Sequence, residues 1–245
     1  MSRHVLLNNI DHKDLRIITE RSAKFGDDIM CAMVFPVEFR TLLEEYPIVF
    51  HRHPDTDEIV PVALFGIEQN ENLFLDNGIW QASYIPMIMQ RDPFLIGQQS
   101  RPDQPSEPPQ MVIHVDMDSP RVSTREGQHV FLPHGGNSEF IENIAAMLKA
   151  IHFGQQENKA FADALKQHQL LEPFVVDIEL QKNRQHRLSG FHTINEQTLR
   201  TLSDQEIAAL HRQGFLPLIY AALFSLSKLN TLIARKQQRL TAKAG

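Results

Sequence analysis

The segment Asp116-Met-Asp-Ser-Pro120 places polar groups directly after a run of apolar, β-prone residues, Met111–Val115. We therefore expect a strand that ends at Asp116 and a turn that carries Asp118 and Ser119. Closely spaced carboxylates at the end of a strand can accept hydrogen bonds from an amine, so these residues are candidate ligand-binding groups. Asp and Ser before Pro also build turns through hydrogen bonds to the backbone, and this purely structural alternative stays open.

A metal site is the second chemistry that this region suggests. His114 and Asp116 are two residues apart on the predicted strand, so their side chains point to one side. They would supply two ligands of the two-His-one-carboxylate site that binds Fe(II) in non-haem oxygenases, with Arg200 as a possible anchor for an acidic co-substrate. The spacing does not choose the distal ligand from three candidates: His168, His186 and His192. Iron is thus the alternative to our main expectation, which is no cofactor.

Aromatic and polar residues near a predicted β-meander form a third candidate set. Tyr46, Trp80 and Tyr84, together with Asn72 and Arg91, could line a pocket with an aromatic wall and a few polar groups. Core packing, with each hydroxyl or indole N–H satisfied internally, explains the same residues. Residue type and spacing leave both interpretations of this set open.

Composition limits the classes of function. The chain has 245 residues, 42% of them hydrophobic and 22% charged, which suits one globular domain over residues 1–245. Its formal net charge of −6 opposes a polyphosphate backbone, so we expect no nucleic-acid partner. The single cysteine, Cys31, cannot form an internal disulfide, and the polar N-terminal residues do not resemble a secretory signal. We therefore expect a cytoplasmic protein.

The order of predicted elements indicates an α+β fold, mostly antiparallel hairpins packed by several helices. Residues 47–50 and 59–67 read as one hairpin, and 72–78 with 79–84 as a second one that joins the same sheet through the Asn-Gly turn. A proline-rich loop is expected at 97–110. Residues 174–180 and 187–192 predict a further hairpin.

Apolar residues at helical spacing predict the helices. Asn137 or Ser138 can cap a helix with an apolar stripe, which is either continued or replaced by a second helix beyond Gly154. Ser203-Asp-Gln-Glu206 has the form of a capping box. Pro217 opens a long C-terminal helix. The most apolar segment, Phe215–Leu229, is shorter than the roughly 20 residues that cross a bilayer, so no integral membrane segment is expected.

Several short motifs, in this order, resemble the bacterial SapC family over nearly the whole chain. They are Glu45-Tyr-Pro-Ile-Val-Phe50, Pro61-Val-Ala-Leu-Phe-Gly66, Glu71-Asn-Leu-Phe74, Trp80 with Tyr84-Ile-Pro86, Arg91-Asp-Pro-Phe94, Asp116-Met-Asp-Ser-Pro120, Leu170-Leu-Glu-Pro173, Gly190-Phe191, and Ile219-Tyr220 with Ser225-Leu226.

The resemblance implies a setting rather than a mechanism. The family name comes from a link to bacterial surface layers. Related genes often lie near those for TonB-dependent outer-membrane receptors, cupin-like proteins and flavin-dependent halogenase-like enzymes. We therefore expect an accessory binding protein that recognises a small molecule, a peptide or a partner protein in an uptake or modification pathway. The alternative is an iron-dependent oxygenase that uses His114 and Asp116.

Overall fold

The computed structural model describes residues 3–99, 110–181 and 184–242. It contains 37% helix and 27% strand, with several antiparallel sheets and a long C-terminal helical segment, which confirms the predicted α+β class. The strands are β1 His4–Leu6, β2 Arg16–Ile17, β3 Cys31–Met33, β4 Ile48–Arg52, β5 Ile59–Leu64, β6 Leu75–Asp76, β7 Ile79–Trp80, β8 Phe94–Gln99, β9 Gln110–Asp116, β10 Val122–Ser123, β11 Gln128–His129, β12 Leu171–Gln181 and β13 Arg184–Ile194. The helices are α1 Phe39–Leu42, α2 Met87–Gln90, α3 Glu139–Gln167, α4 Glu196–Thr201, α5 Asp204–Arg212, α6 Phe215–Ser225 and α7 Lys228–Ala242, with 3-10 turns at Ala23–Phe25 and Pro36–Glu38.

The chain divides into two compact units. Unit 1 contains the described residues of Met1–Asp27, Asn77–Ile79 and Met87–Phe153, and unit 2 contains those of Asp28–Asp76, Trp80–Pro86 and Gly154–Gly245. The expectation of one domain over 1–245 stays a prediction.

Unit 1 is built from two small antiparallel sheets, with strand orders β1-β9-β8 and β10-β2-β11. The predicted helix begins at Glu139, where the Oγ of Ser138 accepts a hydrogen bond from the backbone N–H of Ile141 at 3.3 Å. Its apolar stripe faces the core, as predicted. The buried cluster consists of Leu15, Ile17, Phe94, Val115, Val130, Phe131, Ile141, Ile144 and Leu148.

The predicted proline-rich loop is shorter than expected at both ends. Strands β8 and β9 remain paired as far as Gln99 opposite Gln110, and Gly97 lies opposite Val112. Residues 97–99 and 110 therefore belong to the ladder. The rest of the predicted loop, 100–109, lies outside the described residues.

Unit 2 contains a five-stranded antiparallel sheet with the order β12-β13-β4-β5-β3. Both predicted hairpins of this sheet, β4–β5 and β12–β13, are confirmed. The β12–β13 hairpin begins earlier than predicted and includes Pro173. Because β12 is an edge strand, a proline can join it without removing an interior ladder hydrogen bond.

The predicted hairpin of residues 72–84 does not join this sheet. Strands β6 and β7 form a separate two-stranded sheet, and β3 lies beside β5 instead. Asn77 and Gly78 connect the two short strands with positive φ angles of 47° and 79°. This conformation suits an Asn-Gly hairpin turn, so the local prediction was right and the pairing of the hairpin was wrong.

Helix α3 continues through Gly154, which settles the alternative of two helices in favour of one. A Cβ atom at Gly154 would lie within 2.9 Å of the Phe35 side chain, so glycine permits a close approach at this point. The predicted capping box opens α5, where Glu206 accepts a hydrogen bond from the N–H of Ser203 at 2.8 Å.

The C-terminal helical segment begins at Phe215, two residues before the predicted start, and is divided by a turn at 226–227 into α6 and α7. By length and composition alone, the stretch Phe215–Ala242 could cross a membrane, although core helices of soluble proteins pass the same test. The absence of an integral membrane segment stays a prediction. Ser225 ties α6 to the sheet, because its Oγ accepts the N–H of Ile48 at 2.8 Å.

Candidate functional site

The candidate site is a cleft of about 550 Å³ within unit 1. Strand β1, the end of β9 and the start of β8 supply one part of its lining, and the turns at 91–93 and 117–121 supply most of the rest. The lining residues are His4, Phe25, Arg91, Asp92, Pro93, Leu95, Asp116, Asp118, Ser119, Pro120 and Arg121.

The positive charge of Arg121 is neutralised inside the protein. Arg121 is only 2% exposed, and its Nη2 donates a hydrogen bond to the buried carboxylate of Asp27 at 2.6 Å. Its Nη1 donates to the carbonyl oxygens of Ile18 and Glu20, at 3.2 and 2.7 Å. Arg21 donates to the other oxygen of Asp27 at 3.2 Å. A buried charge needs such compensation, so this cluster gives the cleft a fixed wall.

Arg91 is also held by its own surroundings. Its Nη1 donates to the carbonyl oxygen of Phe94 at 2.7 Å and lies 3.9 Å from the carboxylate of Asp92. Burial raises the pKa of Asp92, since desolvation disfavours the charged carboxylate and outweighs the attraction of nearby arginines. Arg91 therefore contributes to the shape of the cleft, and its guanidinium has an internal acceptor.

The carboxylates of Asp116 and Asp118 lie in a different environment. Their ion-pair partners, His4 and Arg3, are 4.0 and 3.9 Å away, which is beyond hydrogen-bond distance. Asp116 accepts one hydrogen bond from the N–H of Asp118 at 3.1 Å, and the side chain of Asp118 is 52% exposed. Ser119 lies beside them and accepts from the N–H of Arg121 at 3.3 Å. These acceptors can receive a hydrogen-bond donor that carries positive charge.

A comparison of the chain with family models identifies its family. The SapC model matches residues 7–232, which is nearly the whole chain. The chain belongs to the SapC family. No curated protein and no solved structure matches it. The SapC match includes Arg91, Asp116, Asp118 and Ser119, whereas His4 precedes it.

Four of the eight predicted site residues meet in the cleft of this SapC-family protein: Arg91, Asp116, Asp118 and Ser119. Three of the others form a hydrogen-bonded network within unit 2. Trp80 donates from Nε1 to the hydroxyl of Tyr46 at 2.7 Å, and Tyr46 donates to the carbonyl oxygen of Tyr84 at 2.5 Å. Tyr84 in turn donates to Glu38 at 2.9 Å. Trp80 is 6% exposed and Tyr46 is fully buried, so the structure places these two aromatic residues in the core.

Asn72, the eighth predicted residue, also lies in the interior of unit 2. It is 3% exposed, and its Oδ1 accepts the N–H of Phe74 at 2.9 Å. Its backbone carbonyl accepts from Arg239 at 2.9 Å. The amide therefore shapes the turn before β6.

Our prediction of the site residues omitted several that build the cleft: His4, Arg21, Phe25, Asp27 and Asp92. His4 reaches the site because β1 pairs with β9 and places it opposite Asp116. That pairing joins positions more than a hundred residues apart, and neither residue type signals it. Asp27 lies between Gly26 and Asp28, and this local sequence carries no sign that its side chain meets Arg121.

Nothing in the part of this SapC-family chain that the structure describes favours the iron-oxygenase alternative. Within residues 3–99, 110–181 and 184–242, no group of three or more His, Cys, Asp or Glu side chains is placed to hold a metal ion. His114 lies on β9 in unit 1, where its ring occupies the space that a Cβ of Gly97 would need. The proposed distal ligands belong to unit 2: His168, His186 and His192.

Proposed function

We propose that this SapC-family protein is a non-catalytic binding protein of a bacterial uptake or modification pathway. Its ligand would place an ammonium or guanidinium group in the cleft of unit 1, against Asp116 and Asp118. We propose a cytoplasmic location for it.

One observation carries this proposal: the Nη atoms of the two cleft arginines donate to internal acceptors, whereas no cation among the residues that the structure describes lies within hydrogen-bond distance of the two carboxylates. Arg121 is matched by Asp27, and Arg91 by a carbonyl oxygen. Asp116 and Asp118 keep acceptor oxygens for a ligand. Hydrogen bonds between ionised groups are shorter and stronger than neutral ones, so a cationic donor gains most from such a site.

The remaining lining suits a ligand with an apolar part beside its cationic group. Phe25, Pro93, Leu95 and Pro120 supply apolar surface, and Ser119 supplies a hydroxyl. A volume of about 550 Å³ lies in the range of small-molecule sites. A small amine, the amino terminus of a peptide, or a basic side chain of a partner protein meets these requirements.

The pathway part of the proposal rests on family membership. The chain matches the SapC model almost completely. The gene neighbourhoods that the resemblance implies connect such proteins with outer-membrane receptors and modifying enzymes, which is an association and not a mechanism. A binding protein in that setting would deliver or retain a ligand without changing it.

The test begins with protein purified directly from its native host. Small molecules and peptides released on denaturation are identified by mass spectrometry, and their affinity is measured by calorimetry. We expect an amine-bearing ligand whose binding weakens about tenfold or more in Asp118→Asn and Asp116→Asn, since each loses a charge-assisted hydrogen bond.

The matched control is Glu126→Gln, which removes a carboxylate from an exposed turn of the same unit. This variant should bind like the wild type. N-acetylation of the ligand's amino group should abolish its binding. A ligand that binds equally well to wild-type protein, Asp116→Asn and Asp118→Asn would contradict the proposed site.

A further inference from the structure

A second cavity, of about 370 Å³, lies within unit 2 on one face of its five-stranded sheet. The register explains which side chains share this face. His192 on β13 lies opposite Pro173 on one side and Phe50 on the other, and Arg52 lies opposite Ile59. Because directly opposite residues and residues two apart point to the same side, all of these side chains are on one face.

The end of helix α3 completes this cavity. Leu165, Lys166 and Gln169 come from the last turn of the helix and the residues after it, and Leu171 from the start of β12. The cavity thus has an aliphatic part, formed by Ile59, Leu165, Leu171 and Pro173, and a polar part, formed by Arg52, Lys166, Gln169 and His192.

The polar part carries an excess of positive groups. Arg52 and Lys166 line it, and the Nδ1 atom of His192 is buried without a hydrogen-bond partner among the residues that the structure describes. Burial lowers the pKa of His192, and the positive charge of Arg52 and the neighbouring His51 lower it further. A buried polar atom without a partner is unusual in a native protein, and a ligand can provide the partner.

One internal carboxylate already occupies the cations. Asp57, in the turn between β4 and β5, forms an ion pair with Arg52 and accepts from Lys166 at 3.0 Å. These hydrogen bonds lower the pKa of Asp57 to about 2. Both partners of this ion pair are about half exposed, so an incoming anion can compete for the cations without unfolding the turn.

We infer that this cavity, the carboxylate pocket, binds a small carboxylic acid with an apolar body. The ligand's carboxylate replaces that of Asp57 at Arg52 and Lys166 and lies near the imidazole of His192. Its apolar part contacts the aliphatic side chains of the pocket. Nothing in the proposed amine site of unit 1 is needed for this binding.

The experiment uses octanoate as the probe and octanamide as its uncharged analogue, with affinities from calorimetry on the full chain. We expect octanoate to bind and octanamide to bind at least about tenfold more weakly, because only the carboxylate gains charge-assisted hydrogen bonds. Arg52→Gln and Lys166→Met should each lower the affinity for octanoate about tenfold.

Asp57→Asn gives the sharper result, since a substitution that merely damaged the pocket would weaken binding. Removing the competing carboxylate should tighten octanoate binding by about tenfold. Asp55→Asn, in the same turn, is the matched control and should leave the affinity unchanged. Two outcomes would overturn the inference. The first is equal affinity of the wild type for octanoate and octanamide, which includes binding to neither. The second is octanoate binding by Asp57→Asn that is no tighter than that by the wild type. Circular dichroism of each variant confirms that it is folded.

Discussion

The cleft of unit 1 and the aromatic interior of unit 2 contain residues that look equally suited to bind a ligand. They differ in where their polar groups are satisfied. In unit 2, the Trp80 indole donates to the hydroxyl of Tyr46, which donates to the backbone carbonyl of Tyr84. The hydroxyl of Tyr84 donates to Glu38. In unit 1, Asp116 and Asp118 face the cleft, and their paired cations are 3.9 Å away or more.

This difference separates two consequences of substitution. A polar atom that already has an internal partner contributes to the free energy of unfolding, because its loss leaves that partner buried and unpaired. A polar atom that faces a cleft contributes mainly to ligand binding. The cleft itself contains both kinds, since Arg121 in its wall donates from Nη2 to the buried carboxylate of Asp27 at 2.6 Å.

The largest effect is expected from Asp27→Asn. This change leaves Arg121 and Arg21 without a buried counter-charge, and breaking a buried ion pair in this way costs about 3–5 kcal/mol. Urea unfolding measures the loss. Asp14→Asn, at an exposed position of the same unit, is the control and should stay within about 0.5 kcal/mol of the wild type. Equal stability of the two variants would mean that the hydrogen bonds of Asp27 do not contribute to the free energy of unfolding.

A smaller loss is expected from Tyr46→Phe. The ring still fills its space, but the indole N–H of Trp80 and the carbonyl of Tyr84 lose their shared partner, which costs about 1–3 kcal/mol. The chain has a single tryptophan, so its fluorescence reports unfolding at this position. Tyr220→Phe, on an exposed face of α6, provides the comparison. An unchanged unfolding midpoint in Tyr46→Phe would mean that the hydrogen bonds of the Tyr46 hydroxyl do not stabilise the fold.

Alkaline pH should also lower the stability that the hydrogen bonds of Tyr46 and Tyr84 provide. Burial raises the pKa of Tyr46 and Tyr84 above the ordinary value of about 10, and the negative charge of Glu38 raises that of Tyr84 further. Their contribution to stability is therefore complete below about pH 10 and is lost as the pH rises through the native values, because only the unfolded chain ionises readily. Urea unfolding of the wild type between neutral pH and pH 11 measures this.

The double variant Tyr46→Phe and Tyr84→Phe should lose less stability over the same pH interval. Its stability at neutral pH will be lower from the start, so the slope against pH is the informative quantity. Identical slopes in the two proteins would contradict the raised pKa values of these tyrosines.

The sequence predicted local features better than the partners of distant segments. The Ser203 capping box and the Asn77-Gly78 turn are encoded within a few residues, and both occur as predicted. The sheet that receives the Asn77-Gly78 hairpin was predicted wrongly, because strand pairing depends on side chains far along the chain. The same limit applies to the site: Asp116 and Asp118 share one turn, whereas their neighbour His4 arrives through a strand pairing.

The aromatic set shows a second limit. Tyr46, Trp80 and Tyr84 have the composition of a pocket wall and also that of a core, and residue type does not distinguish the two. What distinguishes them is whether the polar tip of each side chain finds a partner inside. That depends on atomic distances, such as the 2.7 Å between Trp80 and Tyr46, which no periodicity encodes.

The smallest effect on stability is expected from Asp118→Asn. The backbone N–H that Asp118 donates to Asp116 remains, and its ion pair with Arg3 is long and exposed, so little is lost on folding. Urea unfolding should show a change within about 0.5 kcal/mol, in the same range as Asp14→Asn. A loss comparable with that of Asp27→Asn would mean that Asp118 holds the turn together. In that case any effect of the substitution on ligand binding would follow from the altered turn. The cleft carboxylates and the Tyr46 network would then no longer differ in whether substitution changes ligand binding or the free energy of unfolding.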